Sequence, residues 1–179
     1  DVKIDITKDL FLKSSVSWDQ VNNFSGYVAP SNIKQGQSVK GEAQIKNNRW
    51  TDVMQENSLN YSKLFQEVHR VNVMLGNTVQ VNNYFGNTQY GNGFATNVMG
   101  YNNISSASEF PAGKQSSSKT RWALASFIGR LNYAYKDNYI FTFTGRYDGN
   151  SRYAEGHKWG FFPSVAGAWR ISGERFMEK

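Results

Sequence analysis

Arg121-Trp-Ala-Leu-Ala-Ser-Phe-Ile-Gly-Arg-Leu-Asn-Tyr-Ala-Tyr135, the polar break Lys136-Asp137-Asn138, and Tyr139-Ile-Phe-Thr-Phe-Thr-Gly-Arg-Tyr-Asp148 decide the fold. Odd positions carry Phe127, Leu131, Tyr133, Tyr135, Tyr139, Phe141, Phe143 and Tyr147; even positions carry Ser126, Arg130, Asn132, Thr142, Thr144, Arg146 and Asp148, with Trp122, Leu124 and Ile128 blurring that face. A period of two puts alternate side chains on opposite faces of a strand. The three-residue break between two such runs is a hairpin signal. A third run has Phe161, Val165, Gly167, Trp169 and Ile171 against Ser164, Ala166, Ala168 and Arg170. The spacing predicts three sequential antiparallel strands, each with an arginine (Arg130, Arg146, Arg170) on its more polar face.

Working outward, Val71–Val81, Leu10–Trp18 and Val2–Ile6 alternate more weakly, and Glu42–Tyr61 reads as one long strand bulged around Asn47-Asn48. That gives about seven strands, the first being the tail of a strand begun upstream of Asp1. Short turns fall at Thr7–Asp9, Phe65–His69 and Lys136–Asn138. They alternate with polar connections at about Gln20–Lys40, Asn82–Lys119 and Asn150–Lys158. Short turns at one end and long loops at the other are the rhythm of an up-and-down outer-membrane barrel. The sequence is thus expected to be all-β, an antiparallel transmembrane barrel segment.

Composition narrows the function classes. Aromatics reach 15% against 39% hydrophobic residues in all, which suits strands with large uncovered apolar faces. The longest apolar run, Trp122–Gly129, is far short of a spanning helix. The net charge of +6 raises nucleic acid, but Lys and Arg are scattered singly, so no nucleic-acid partner is expected. With no cysteine there are no thiolate sites or disulfides. The sequence opens directly into a strand pattern, as expected of a mature chain or of one that starts in mid-protein.

The motifs at the C-terminal end resemble a known family. Arg146-Tyr-Asp-Gly-Asn-Ser-Arg152, Trp159-Gly-Phe-Phe-Pro-Ser164, Ala168-Trp-Arg-Ile-Ser172 and Glu174-Arg-Phe-Met177 are similar to consecutive motifs of the SusC/RagA family of TonB-linked outer-membrane proteins. Phe127–Tyr139 resembles the strand–turn unit that precedes them, and Glu56–Tyr61 and Tyr101–Ser105 resemble upstream segments. Asn150, Tyr153, Phe161 and Ala168 depart mildly from the family pattern. The resemblance implies a large barrel of about 22 strands around an N-terminal plug. Residues 1–179 would be a partial barrel domain, with the plug and the remaining strands outside it. It further implies a Bacteroidota-type outer-membrane location, TonB engaged through the missing N-terminal region, a SusD-like lipoprotein partner, and a glycan or peptide substrate.

For the family-motif residues a structural role is the plainer expectation. Arg146, Asp148, Gly149, Ser151 and Arg152 would end a strand and open a loop, with Asp148-Gly149 as turn chemistry and the charges paired. Trp159, Gly160, Ser164, Trp169 and Arg170 belong to the next strand, where Pro163 should mark a bulge or a strand end. Arg130 and Arg170 would pair with plug or wall carboxylates, the alternative being that they line the transport path. Trp18, Tyr133, Tyr135, Tyr139 and Trp169 suit aromatic girdles at membrane interfaces. Tyr27, Tyr84, Phe85, Tyr90 and Tyr101 are loop aromatics that pack locally or offer rings to a substrate or partner. His69 and His157 fall at opposite strand ends, so no shared metal site or triad is expected. Gly86–Gly93 lacks the Lys-Ser/Thr ending of a phosphate loop. No catalytic residue, metal site or cofactor is expected. An outer-membrane enzyme would need a nucleophile and base that neither histidine supplies. A free-standing binding or adhesion domain would leave broad apolar faces and two open edges in water.

Overall fold

The computed structural model describes residues 1–177. It is built almost wholly from antiparallel strands: β1 (Val2–Thr7), β2 (Leu10–Ala29), β3 (Glu42–Phe65), β4 (His69–Phe94), β5 (Ala107–Glu109), β6 (Ser116–Tyr135), β7 (Tyr139–Asn150) and β8 (Trp159–Trp169). One helical turn, α1 (Lys34–Gln37), joins β2 to β3. Neighbours in sequence are neighbours in the sheet, in the order β1-β2-β3-β4-β6-β7-β8, with short β5 pairing back onto β4. This is the up-and-down antiparallel topology the alternation predicts.

Three of the reversals are tight, and two of them share one backbone geometry. Gln66-Glu67 and Lys136-Asp137 take left-handed backbone, with φ of 48° and 59°, and 52° and 54°. Consecutive positive φ values are the geometry of a type I′ hairpin turn, whose twist matches the flanking strands. No glycine relieves them, and closing bonds run from the Val68 amide to the Phe65 carbonyl (3.2 Å) and from the Asn138 amide to the Tyr135 carbonyl (3.0 Å).

Register fixes the faces. Phe127 faces Tyr147 and Tyr147 faces Phe161; Leu131 faces Phe143 and Phe143 faces Val165; Tyr135 faces Tyr139 and Tyr139 faces Trp169. The opposite face pairs Ser126 with Asp148, Ile128 with Arg146, Arg130 with Thr144, and Asn132 with Thr142. Among the described residues nothing covers the apolar face: Phe161 is 60% exposed and Val165 75%.

The chain divides into two compact units. One comprises Asp1–Trp18, Val53–Val81 and the chain from Trp122 onward. It is a sheet with little interior, Ala134 being its one buried hydrophobic residue among those described. The other comprises Asp19–Asp52 and Asn82–Arg121 and holds a small core of Ala29, Ala43, Tyr90, Ile104 and Ala107. Its segment 95–115 folds over the strands at glycine notches. A Cβ on Gly26 would stand 2.7 Å from the Tyr101 ring, and one on Gly91 would meet Ala107 at 2.6 Å.

Three expectations are corrected. The stretches 20–40 and 82–119 are about half strand, since β2 runs on to Ala29, β4 to Phe94, and β6 starts at Ser116. Asn and Gly are poor strand formers in isolation, but pairing on both sides overrides that preference. Pro163 marks neither a bulge nor an end: it sits within β8 opposite Gly145, in unbroken register. Among the described residues β8 pairs on one side only, and a sheet edge is where proline is tolerated. Asp148 and Gly149 are strand residues opposite Gly160 and Trp159, not a turn.

Candidate functional site

The polar face of β6 and β7 is a hydrogen-bonded lattice. Arg146 Nε donates to Asp148 Oδ1 at 2.7 Å and its Nη2 reaches Ser126 Oγ at 3.4 Å. Arg130 Nε donates to Thr144 (3.2 Å), and Thr142 donates to Asn132 (2.7 Å). Beside Arg146 the face hollows into a concavity of about 360 Å³, lined also by Met54, Glu56, Thr78, Gln80 and Ser126. Guanidinium, carboxylate, amide and hydroxyl groups arrayed on one wall bind polar surfaces by exchanging hydrogen bonds rather than by hydrophobic burial.

The remaining motif residues fasten strand ends. Ser151 and Ala123 exchange two bonds, amide to carbonyl at 3.0 Å and amide to hydroxyl at 2.8 Å. The Arg152 guanidinium lies over the Trp122 ring at 4.4 Å, a cation–π contact. Gly149 leaves room for the Trp159 indole, which stacks on Tyr147 at 4.8 Å. Gly160 similarly accommodates the Phe162 ring, and Ser164 stands opposite Thr144. Arg170 falls just past β8 rather than within it. Its amide donates to the Asn138 carbonyl at 2.7 Å.

The short-turn end is a connected rim. His69 packs at a tilt against Tyr135, Tyr135 stacks on Tyr139, and Tyr139 stacks on Trp169, with centroids 5.2, 6.3 and 6.4 Å apart. His69 Nδ1 also meets the Tyr133 hydroxyl at 2.7 Å. His157 lies in the connection between β7 and β8. Arg70 grips Asp137 with two bonds of 3.1 and 3.2 Å, and that hydrogen bonding holds the Asp137 carboxyl below the usual carboxylate range. Hydrogen bonds from Tyr139 and then Trp169 likewise lower Glu174.

In the second unit the five aromatic candidates separate. Tyr27, Tyr84, Phe85 and Tyr90 lie on strands rather than loops; Tyr101 lies in a 3-10 turn. Tyr27 and Tyr90 both donate to the Glu42 carboxylate. Lys114 caps that cluster, 3.8 Å from Glu42 and 4.0 Å above the Tyr90 ring, and its hydrogen bond with Tyr90 raises its pKa. Gln115 bonds both the amide and the carbonyl of Tyr90, so this ring is buried and cannot stack on a ligand. Tyr84 instead packs against Trp50, with centroids 5.2 Å apart. Phe85 borders a separate hollow with Phe24 and Arg49. Sequence reasoning missed Trp50, Glu42, Lys114 and Gln115. The signal available was the even spacing of Glu42, Asn48, Trp50 and Asp52 along one strand.

Sheet order, unbroken register and the division into an apolar and a polar face define a segment of up-and-down β-barrel wall. No protein-family model matches the chain. Two TonB-dependent receptors of Formosa agariphila are each 33% identical to it, over 94% and 88% of this chain but only 17% and 16% of their own length. The TonB-dependent receptor SusC of Bacteroides thetaiotaomicron is 46% identical over 36% of this chain and 6% of its own. Among solved structures the RagAB peptide transporter superposes with a TM-score of 0.89 at 21% identity, over 99% of this chain and 20% of that one. The chain therefore spans about a sixth of the length of these Formosa relatives. It is barrel-wall sequence of the SusC/RagA type of TonB-dependent receptor.

Proposed function

We propose that residues 1–179 form part of the barrel domain of an active transporter in the bacterial outer membrane, with the plug and the remaining strands supplied by other parts of the protein. Energy arrives through TonB, and a SusD-like surface lipoprotein delivers a glycan or peptide to the lumen. The two-faced wall carries this reading. The ten steps from Trp159 to Trp169 cover about 33 Å along the strand, or about 25 Å along the membrane normal at a tilt of roughly 40°. That is the height of the apolar band of an outer-membrane barrel. Phe127, Tyr147 and Trp159 bound it at one end, and Tyr135, Tyr139 and Trp169 at the other. The face with Arg130, Arg146 and Asp148 then lines the lumen, where its hydrogen-bonding groups meet plug or solute. The family-motif residues maintain that wall and perform no chemistry.

Cysteine labelling tests membrane location and orientation together, and residues 1–179 have no cysteine of their own to interfere. In the full-length protein, Asn102→Cys should react with an impermeant maleimide on intact cells. Asp137→Cys should react only after the outer membrane is permeabilised. The opposite pattern refutes the orientation, and equal labelling of both in intact cells refutes the span.

A further inference from the structure

Charge is sorted between the two sides of the second unit's strands. On β6, Ala125 and Ala123 continue the apolar side of Phe127, and Arg121 and Lys119 follow on it. On β4 that side holds Leu75, 3.5 Å from where a Cβ on Gly129 would be, then Val79, Val81 and Phe85. The Asn82–Asp52 and Tyr84–Asn48 bonds join even residues of β3 and β4 on the other side, which leaves Val53 and Arg49 on the apolar one. Tyr27 reaches Glu42 on that other side, so Asn22 and Phe24 of β2 lie on the apolar side as well. Among the described residues, the apolar side of β2, β3, β4 and β6 within the second unit carries Arg49, Lys119 and Arg121 and no carboxylate. Asp19, Glu42 and Asp52 all fall on the other side.

The three cations are exposed, and two of them flank one ring. The cross-strand bonds set Arg49 opposite Phe85, and both border a hollow of about 390 Å³ with Asn22 and Phe24. Gly76 against Ile128 and Gly129 against Leu75 give one count for β4 and β6, which sets Lys119 opposite Phe85 from the far side. Strands two apart lie about 10 Å from each other, a gap that an arginine and a lysine close over one anion.

We infer that this basic patch binds the phosphate of an anionic lipid in the outer leaflet; its leaflet rests on the orientation given by the importer reading. Arg121 is the first position past Ala123 on that side, and Lys119 and Arg49 are the second past Ala123 and Val53. Each position rises about 5 Å along the membrane normal at a tilt of roughly 40°, which brings all three to the level of the headgroups. Long cationic side chains at that level attract anionic headgroups while their stems rest along the acyl boundary. Lipid is favoured over an acidic protein because the cations continue the membrane-facing side of strands that cross the membrane.

The test uses purified full-length protein in neutral-detergent micelles, with retained lipid counted by native mass spectrometry. The probes are phosphatidylglycerol and phosphatidylcholine of equal chain length, with inorganic phosphate as competitor and polyglutamate as an acidic-protein surrogate. Phosphatidylglycerol should be retained in preference, and the preference should shrink as salt rises from about 0.05 to about 0.5 M. Arg49→Gln, Lys119→Gln and Arg121→Gln should each weaken it about fivefold. Lys46→Gln removes the same charge from the other side of β3 and should change nothing. Heat-modifiable gel mobility reports folding, and where one glutamine variant loses its barrel the remaining two decide. No preference for the anionic lipid, or an equal loss with Lys46→Gln, overturns the proposal. Full displacement by inorganic phosphate, or binding of polyglutamate without any lipid preference, overturns it too. All of these leave the importer reading standing, whereas a wrong orientation would appear in the cysteine labelling with the lipid preference intact.

Discussion

β7 and the far half of β4 are both interior strands of one sheet, yet only β7 announces itself. Between Tyr139 and Asp148 apolar and polar residues alternate, with Ile140 the one even-numbered exception. Between Asn82 and Phe94 the chain offers Asn82, Asn83, Asn87 and Asn92 with Gly86, Gly91 and Gly93, which reads as loop and is strand. Alternation therefore reports the surroundings of the two faces rather than the strand itself. β7 divides two media of different polarity. Residues 82–94 have polar groups on both sides and are held by pairing and by close packing at their glycines.

The sharpest way to break this comparison is to place a charge on each face. Phe143→Arg, on the apolar face, should destabilise the full-length protein in lipid vesicles by about 2–4 kcal/mol in guanidinium titrations. Thr144→Arg, one residue along on the polar face, should cost under about 1 kcal/mol. Equal costs would undo the face assignment. A smaller effect probes the other region. Gly26→Val drives a side chain into the Tyr101 ring and should make local opening of segment 95–115 easier by about 1–3 kcal/mol. Hydrogen exchange at the Ile104 and Ala107 amides measures it. Gly113→Ala, with nothing within 4 Å, should leave exchange unchanged. If both variants behave alike, the glycine notch is not what holds the segment.

The smallest expected effect lies at the rim. The folded-state pKa of Asp137 is depressed, so its ion pair with Arg70 stabilises above the unfolded value of about 4. That contribution is lost as pH falls through the lower folded value. Wild type and Asp137→Asn should therefore differ in denaturation midpoint at neutral pH and converge in strong acid. A gap that ignores pH would assign the effect to the left-handed preference of asparagine instead.

Sequence alone reveals the barrel class and the six long strands β2, β3, β4, β6, β7 and β8. What it shows poorly is extent: β2, β4 and β6 run well past their alternating parts, because only those parts separate apolar from polar surroundings. The site was legible in its chemistry but not in its grouping. Tyr84 and Tyr90 look equivalent as letters, six residues apart. Only the fold reveals that Glu42, Lys114 and Gln115 enclose one while the other packs against Trp50. Pro163 shows the converse, a residue whose usual meaning depends on neighbours the local sequence does not name.

The left-handed pairs Gln66-Glu67 and Lys136-Asp137 also act as phase locks between the two strands that each one joins. Such a reversal tolerates only its own length, so it settles whether the next strand begins on an odd or an even count. One inserted residue there would exchange inside for outside along the strand that follows, until the next longer connection restored the beat. The longer connections at 30–41, 95–115 and 151–158 impose no such count. Changes of length, and with them new recognition surfaces, can accumulate at that end of the strands while the span keeps its phase.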